Sequence, residues 1–193
     1  MTFDVFSGAV TTLIELTKAI FALKNVPAKE REQQRKLLHE TFSLLDGAIL
    51  LVMQKLHDLL LLADTERDKF VAGLKSLGFQ PEWERMARDV RLCQPLRAAS
   101  SELERLVGSL GPRLSLKDPG AIYTLIGEVL DREGQLASFI SRAFQDLASR
   151  ADDLSDAKAD LRPTRELVRK YLHALRHERD ALIRAEIQSF DAI

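Results

Sequence analysis

At 193 residues and 21.8 kDa the chain is long enough for one large domain that buries roughly 70% of its extended surface on folding. Its net charge of -1 is evenly spread, with 13 basic and 13 acidic side chains over residues 1–96 and 15 and 16 over residues 97–193, so no overall field draws it to nucleic acid or anionic lipid. A single cysteine, Cys93, excludes an internal disulfide and any multi-cysteine metal site, and the opening Met-Thr-Phe-Asp has no positively charged secretory leader, so a cytoplasmic location is expected.

Nine glycines, six prolines and the absence of any Val/Ile/Thr-rich alternating run favour helices throughout. The first, about residues 3–24, places Val5, Phe6, Ala9, Val10, Leu13, Leu16, Ile20 and Leu23 at i, i+3, i+4 spacing, and Asn25-Val26-Pro27 breaks it. The second runs over about residues 27–63 and ends in the apolar stretch Gly47–Leu62. Lys55, His57 and Asp58 interrupt that stretch, so it is too short for a membrane span. Leu45, Ile49, Val52, Leu56, Leu59 and Ala63 form a seam alternating four and three residues, with Leu50, Met53, Leu60 and Leu61 read as widening it. A helix apolar on nearly all sides is buried on nearly all sides, which makes this one the expected centre of the fold. Leu51 and Leu62, in its narrow polar strip, are expected to meet another helix of the chain or a second copy of it.

Thr65 is the expected N-cap of a third helix, with Asp68 three residues on, and Gly78-Phe79 its stop. Pro81 opens a fourth that Pro95 must kink or end. Ser101 with Glu104 in capping-box register then starts a short fifth helix, stopped by Gly111-Pro112. A long helix follows over about residues 118–151, then an Asp-rich connection (Asp152, Asp153, Asp156, Asp160), then a last helix over about residues 163–190. The expected architecture is a single all-α domain, a bundle of three or four long helices with short capping helices between 65 and 110 and no β-sheet.

No cofactor, metal or catalytic motif stands out. His173 and His177 share a helix face but lack partner ligands nearby, Glu-x-x-His is absent, and so are the glycine patterns that cradle phosphates. His57 reads as a core or boundary histidine and Cys93 as a small buried hydrophobe. Two surfaces are candidates for partners. On the long helix Gly120, Gly127, Gly134, Ser141 and Ala148 recur every seven residues, flanked by Asp131 and Ser138 and opposite an apolar seam. Each helix-interior glycine costs about 1 kcal/mol relative to alanine, and a face of small residues lets another backbone approach closely. Gly127, Asp131, Gly134, Ser138 and Ser141 are therefore the candidate interface, with Leu51 and Leu62. On the last helix Arg162, Arg165, Arg169, His173 and Arg176 line a stripe that suits an anionic partner, opposite Val168, Tyr171, Leu175 and Leu182.

The segment Phe6-Ser-Gly-Ala-Val-Thr-Thr-Leu-Ile-Glu-Leu16 resembles the opening helix of HeLo-type four-helix signalling domains over about a tenth of the chain. That resemblance implies an N-terminal helix able to act at membranes. The expected function is a non-enzymatic module that binds a protein partner, either another protein or a second copy of itself, with no role for nucleic acid. A membrane-associated helical effector is the alternative, and an enzyme with a pocket between helices the third expectation.

Overall fold

The computed structural model describes residues 4–77, 90–110, 135–154, 156 and 158–191. They form six helices, α1 (Asp4–Phe21), α2 (Ala28–Thr65), α3 (Arg67–Leu77), α4 (Val90–Leu110), α5 (Gln135–Asp153) and α6 (Arg162–Asp191), and no strand occurs among them. The fold is all-α.

α2 is the centre of it. All six seam positions, Leu45, Ile49, Val52, Leu56, Leu59 and Ala63, are buried, and each leucine so covered is worth roughly 1.5–3 kcal/mol. The cover comes from α6, α4 and α3, which all pack on α2, while α1 lies mainly on α6 and α5 mainly on α3. α6 runs antiparallel to α2, as four cross-links in order along the pair establish. Arg165 pairs with Asp64, Arg179 forks onto Asp46 at 2.7 and 3.2 Å, His39 Nδ1 meets Glu186 Oε1 at 2.6 Å, and Arg35 donates to the Phe190 carbonyl at 2.9 Å. Phe190 also meets Phe21 and Phe42 edge-to-face, which fastens the end of α1 to the same site.

Two side chains expected on the apolar side of α2 are instead in water. Leu61 is 54% exposed and His57 is exposed, because at 100° per residue Leu61 falls almost opposite the Leu56–Leu59 seam and His57 well round from it. Leu50, Met53 and Leu60 are half-buried flanks.

α1 buries Val10, Leu13, Leu16 and Ile20, and the buried Thr17 hydroxyl donates to the Leu13 carbonyl at 2.7 Å. It ends at Phe21, and in the link that follows Asn25 takes a left-handed φ of 62°, a conformation that asparagine tolerates better than most residues. Arg31 of α2 then donates to the Leu23 carbonyl at 3.1 Å, satisfying an acceptor freed near the helix end.

The turn from α2 to α3 differs from the expected cap. Thr65 belongs to α2, its hydroxyl donating to Leu61 at 2.9 Å, and the single residue Glu66 (φ -144°, ψ 92°) makes the corner. The hydroxyl found an acceptor in the turn behind it, so the helix ran on. Asp68 still places an acid in the first turn of α3, where the helix dipole favours it. The two helices then close tightly, since a Cβ on Gly73 would stand 2.9 Å from a methyl of Leu59.

Pro95 neither ends nor begins a helix. α4 is continuous from Val90 to Leu110, so Ser101 and Glu104 lie inside it and no fifth helix starts there. The missing amide hydrogen of a mid-helix proline costs about 3 kcal/mol, which the burial of Ala99, Leu103, Val107 and Leu110 offsets. Gly78-Phe79, Gly111-Pro112 and residues 118–134 lie outside the described residues.

α5 buries Phe144, Leu147 and Ala151, and α6 buries Val168, Tyr171, Leu175 and Leu182, the stripe expected opposite its basic face. The connection between them is held by Arg67 at the start of α3. Its guanidinium donates to the carbonyls of Asp156 at 2.6 Å, Ala159 at 3.0 Å and Leu154 at 3.2 Å. Three carbonyls with no helix partner converge on one planar donor, and α3 is thereby tied to α5 and α6 together. Replacing Arg67 with Met, which keeps the stem and removes the fork, is expected to lower the unfolding free energy by about 2 kcal/mol, with Arg67→Lys recovering only part, as measured by urea denaturation.

Candidate functional site

Among the described residues, a groove between α2 and α4 has the shape of a binding site. Two open depressions of about 410 and 450 Å³ lie end to end in it, sharing Leu37 and Glu102 as common lining. The first is lined by Glu30, Gln33, Gln34 and Leu37 of α2 and by Glu102, Arg105, Leu106 and Ser109 of α4. The second is lined by Leu37, His39, Glu40, Ser43 and Leu44 of α2 and by Ala98, Ala99 and Glu102 of α4. Glu30 lies with Ser109 at one end and Leu44 with Ala98 at the other, so the helices run antiparallel.

The groove exists because both helices turn their most apolar stripe into the core and leave the flanking stripe half covered. Leu38, Phe42 and Leu45 of α2 and Leu103, Val107 and Leu110 of α4 are buried, whereas Leu37, Leu44 and Leu106, one position round, are only half-buried and make the floor. Gln34 is the unusual member. It is 3% exposed, and its amide nitrogen donates to Glu30 Oε1 at 3.2 Å. The rim is polar, with Glu30, Glu40 and Glu102 against Arg105. Arg105 pairs with Glu102 at 2.6 Å, and an exposed contact of 3.9 Å joins Glu40 to Lys36.

One corner has the residue types of nucleophilic catalysis. His39 and Ser43 stand one turn apart on α2 and both line the second depression, while His39 Nδ1 meets the Glu186 carboxylate. Ser43 forms no hydrogen bond to His39, and the amides of this stretch of α2 are taken up by its own helix, so an oxyanion formed at Ser43 would meet no donor among the described residues. The dyad is better explained as an α2–α6 cross-link.

The basic stripe of α6 is largely occupied by its own neighbours. Arg162 pairs with Asp160 at 2.8 Å, holding that carboxyl below the usual carboxylate range through its side-chain hydrogen bond; Arg165 pairs with Asp64; Arg169 pairs with Glu166. His173 and Arg176 remain exposed, and His177 sits 3.8 Å from Glu178. Among the described residues no three His, Cys, Asp or Glu side chains converge as metal ligands.

The small-residue face falls mostly outside what is described. Gly127, Asp131 and Gly134 lie outside the described residues, and Ser138 and Ser141 are placed only as backbone positions of α5. Gln145, on the same face, is exposed. Leu62 is half-buried against the core and its methyl lies near Gly73 of α3, while Leu51 is half-buried. No described helix is long and apolar enough to cross a membrane.

Two titratable groups are displaced by the packing. Burial, with a 2.8 Å hydrogen bond to Asp146, pushes the Tyr171 hydroxyl up to about 12. Burial also raises the Glu178 carboxyl, against a smaller opposing effect of His177. An acid whose folded pKa exceeds its unfolded one binds its proton more tightly in the folded state, so stability falls as pH climbs from the unfolded towards the folded value. Glu178→Gln is therefore expected to raise the melting temperature at pH 7, with the advantage disappearing below the ordinary glutamate range, in thermal melts from pH 3.5 to 8. The chain matches no protein family, no curated protein and no solved structure, so only its own residues and geometry bear on what it does.

Proposed function

We propose that this protein is a non-enzymatic interaction module that docks a segment of a protein partner in the α2–α4 groove. The observation that carries the reading is the groove's construction, an apolar floor of Leu37, Leu44 and Leu106 between polar walls, with the buried amide of Gln34 opening onto it. Half-covered leucines gain by being closed off from water, and the carboxylates of the rim gain by meeting donors. Both needs are met by one strand or helix of another protein laid along the groove, a recurrent mode of peptide recognition. The shape is wrong for a buried small-molecule site, because each depression is open along the helix surface rather than enclosed. A cytoplasmic setting, in which Cys93 stays reduced, fits this reading.

The test uses a photo-crosslinking amino acid at Ser43, in the groove, and at Arg176, on the exposed face of α6, in cells that express the protein. A discrete protein adduct from position 43 that is absent from position 176 and is lost when Ala98→Trp fills the groove is the expected result. Adducts from position 176 alone, or none from position 43, would remove the proposal.

A further inference from the structure

Resting on that reading, the geometry points to a specific occupant: a basic amphipathic α-helix of a partner protein with two apolar anchors seven residues apart. The two depressions cover Glu30–Leu37 and Leu37–Leu44 of α2, so their centres are one heptad apart, about 10.5 Å at 1.5 Å per residue. An occupying helix parallel or antiparallel to α2 presents side chains i and i+7 on one face at that same separation, and one large apolar side chain enters each depression. A β-strand spaces same-face residues by about 6.6 Å and about 13 Å, neither of which matches that separation. The whole groove, Glu30 to Leu44, is about 21 Å long, or about four helical turns.

The charge of the occupant follows from the walls. Three carboxylates, Glu30, Glu40 and Glu102, line the groove against one guanidinium, Arg105, and that guanidinium is already on Glu102. Glu30 and Glu40, one in each depression and on the same wall, meet among the described residues the Gln34 amide and an exposed Lys36 at 3.9 Å. The amide oxygen of Gln34, which lines the first depression, is likewise an acceptor. Acceptors on the walls call for donors on the guest, so Lys or Arg flank its anchors, and binding weakens as salt rises. A second copy of this chain fits less well, since the exposed face of α6, its most basic helix surface, offers Ile187 as its large exposed hydrophobic and no second anchor seven residues away.

A display library of 14-residue helix-favouring peptides, selected against the full-length protein, tests this without presupposing the partner. The expected winners carry apolar residues at i and i+7 with Lys or Arg on the flanks. Their binding should be abolished by Ser43→Trp, and by Ala98→Trp should the first variant lose helical content by circular dichroism, and weakened at least tenfold by Glu30→Lys with Glu40→Lys. Winners that are acidic yet still blocked by Ser43→Trp would overturn the charge assignment while leaving groove docking intact. Winners insensitive to both tryptophan variants would overturn the docking reading as well. A concentration-dependent dimer by light scattering that Ser43→Trp dissolves would overturn the choice of occupant in favour of a second copy.

Discussion

The structure rests on the need to cover α2. Its apolar side chains occupy more of the helix circumference than one neighbour can shield, and a helix of 38 residues gives that surface a length of about 57 Å. α6 covers one side along the full length, as the cross-links from Asp64–Arg165 to Arg35–Phe190 trace. The remaining side is divided, with α4 on the first half and α3 on the second. The one-residue corner at Glu66 and the bare surface at Gly73 are what let α3 fold back close enough to take its share.

Polar interactions then decide where the helices stop sliding. A seam of leucines and isoleucines is tolerant of small shifts along its axis, because one methyl group resembles the next. The forked Arg179–Asp46 pair and the three carbonyls gathered by Arg67 are not, since both depend on planar geometry at hydrogen-bond distance. Such partly exposed contacts add modest stability and considerable definition of register. The same register leaves Leu37, Leu44 and Leu106 half in water, so the groove is a by-product of the packing.

Periodicity made the helices readable. The buried seams of α1, α2 and α6 are all visible as i, i+3, i+4 spacing, and the break at Asn25-Val26-Pro27 follows from local stereochemistry. Local rules failed where an interaction distant in sequence, or a competing local one, was stronger. Pro95 reads as a kink or an end, and the helix does not end there, because the apolar face of α4 packed on α2 carries it through; Thr65 reads as a cap, yet its hydroxyl is taken by the turn behind it. The groove could not be seen at all in this way, because its walls, Glu30–Leu44 and Ala98–Ser109, are far apart in the chain and each looks like an ordinary amphipathic helix alone.

The sequence by itself determined that the chain is helical, which seam residues of α2 turn inward, and which helix lies at the centre, because those properties depend on side-chain spacing within a few turns. Only the tertiary structure decided which helix faces which, that the arginines at 162, 165 and 169 are consumed by nearby carboxylates, and that a groove remains beside Gln34. The physical reason is that apolar burial is non-directional, so any stripe can cover any other, and the choice among pairings falls to shape and hydrogen bonding between residues that the chain brings together only on folding.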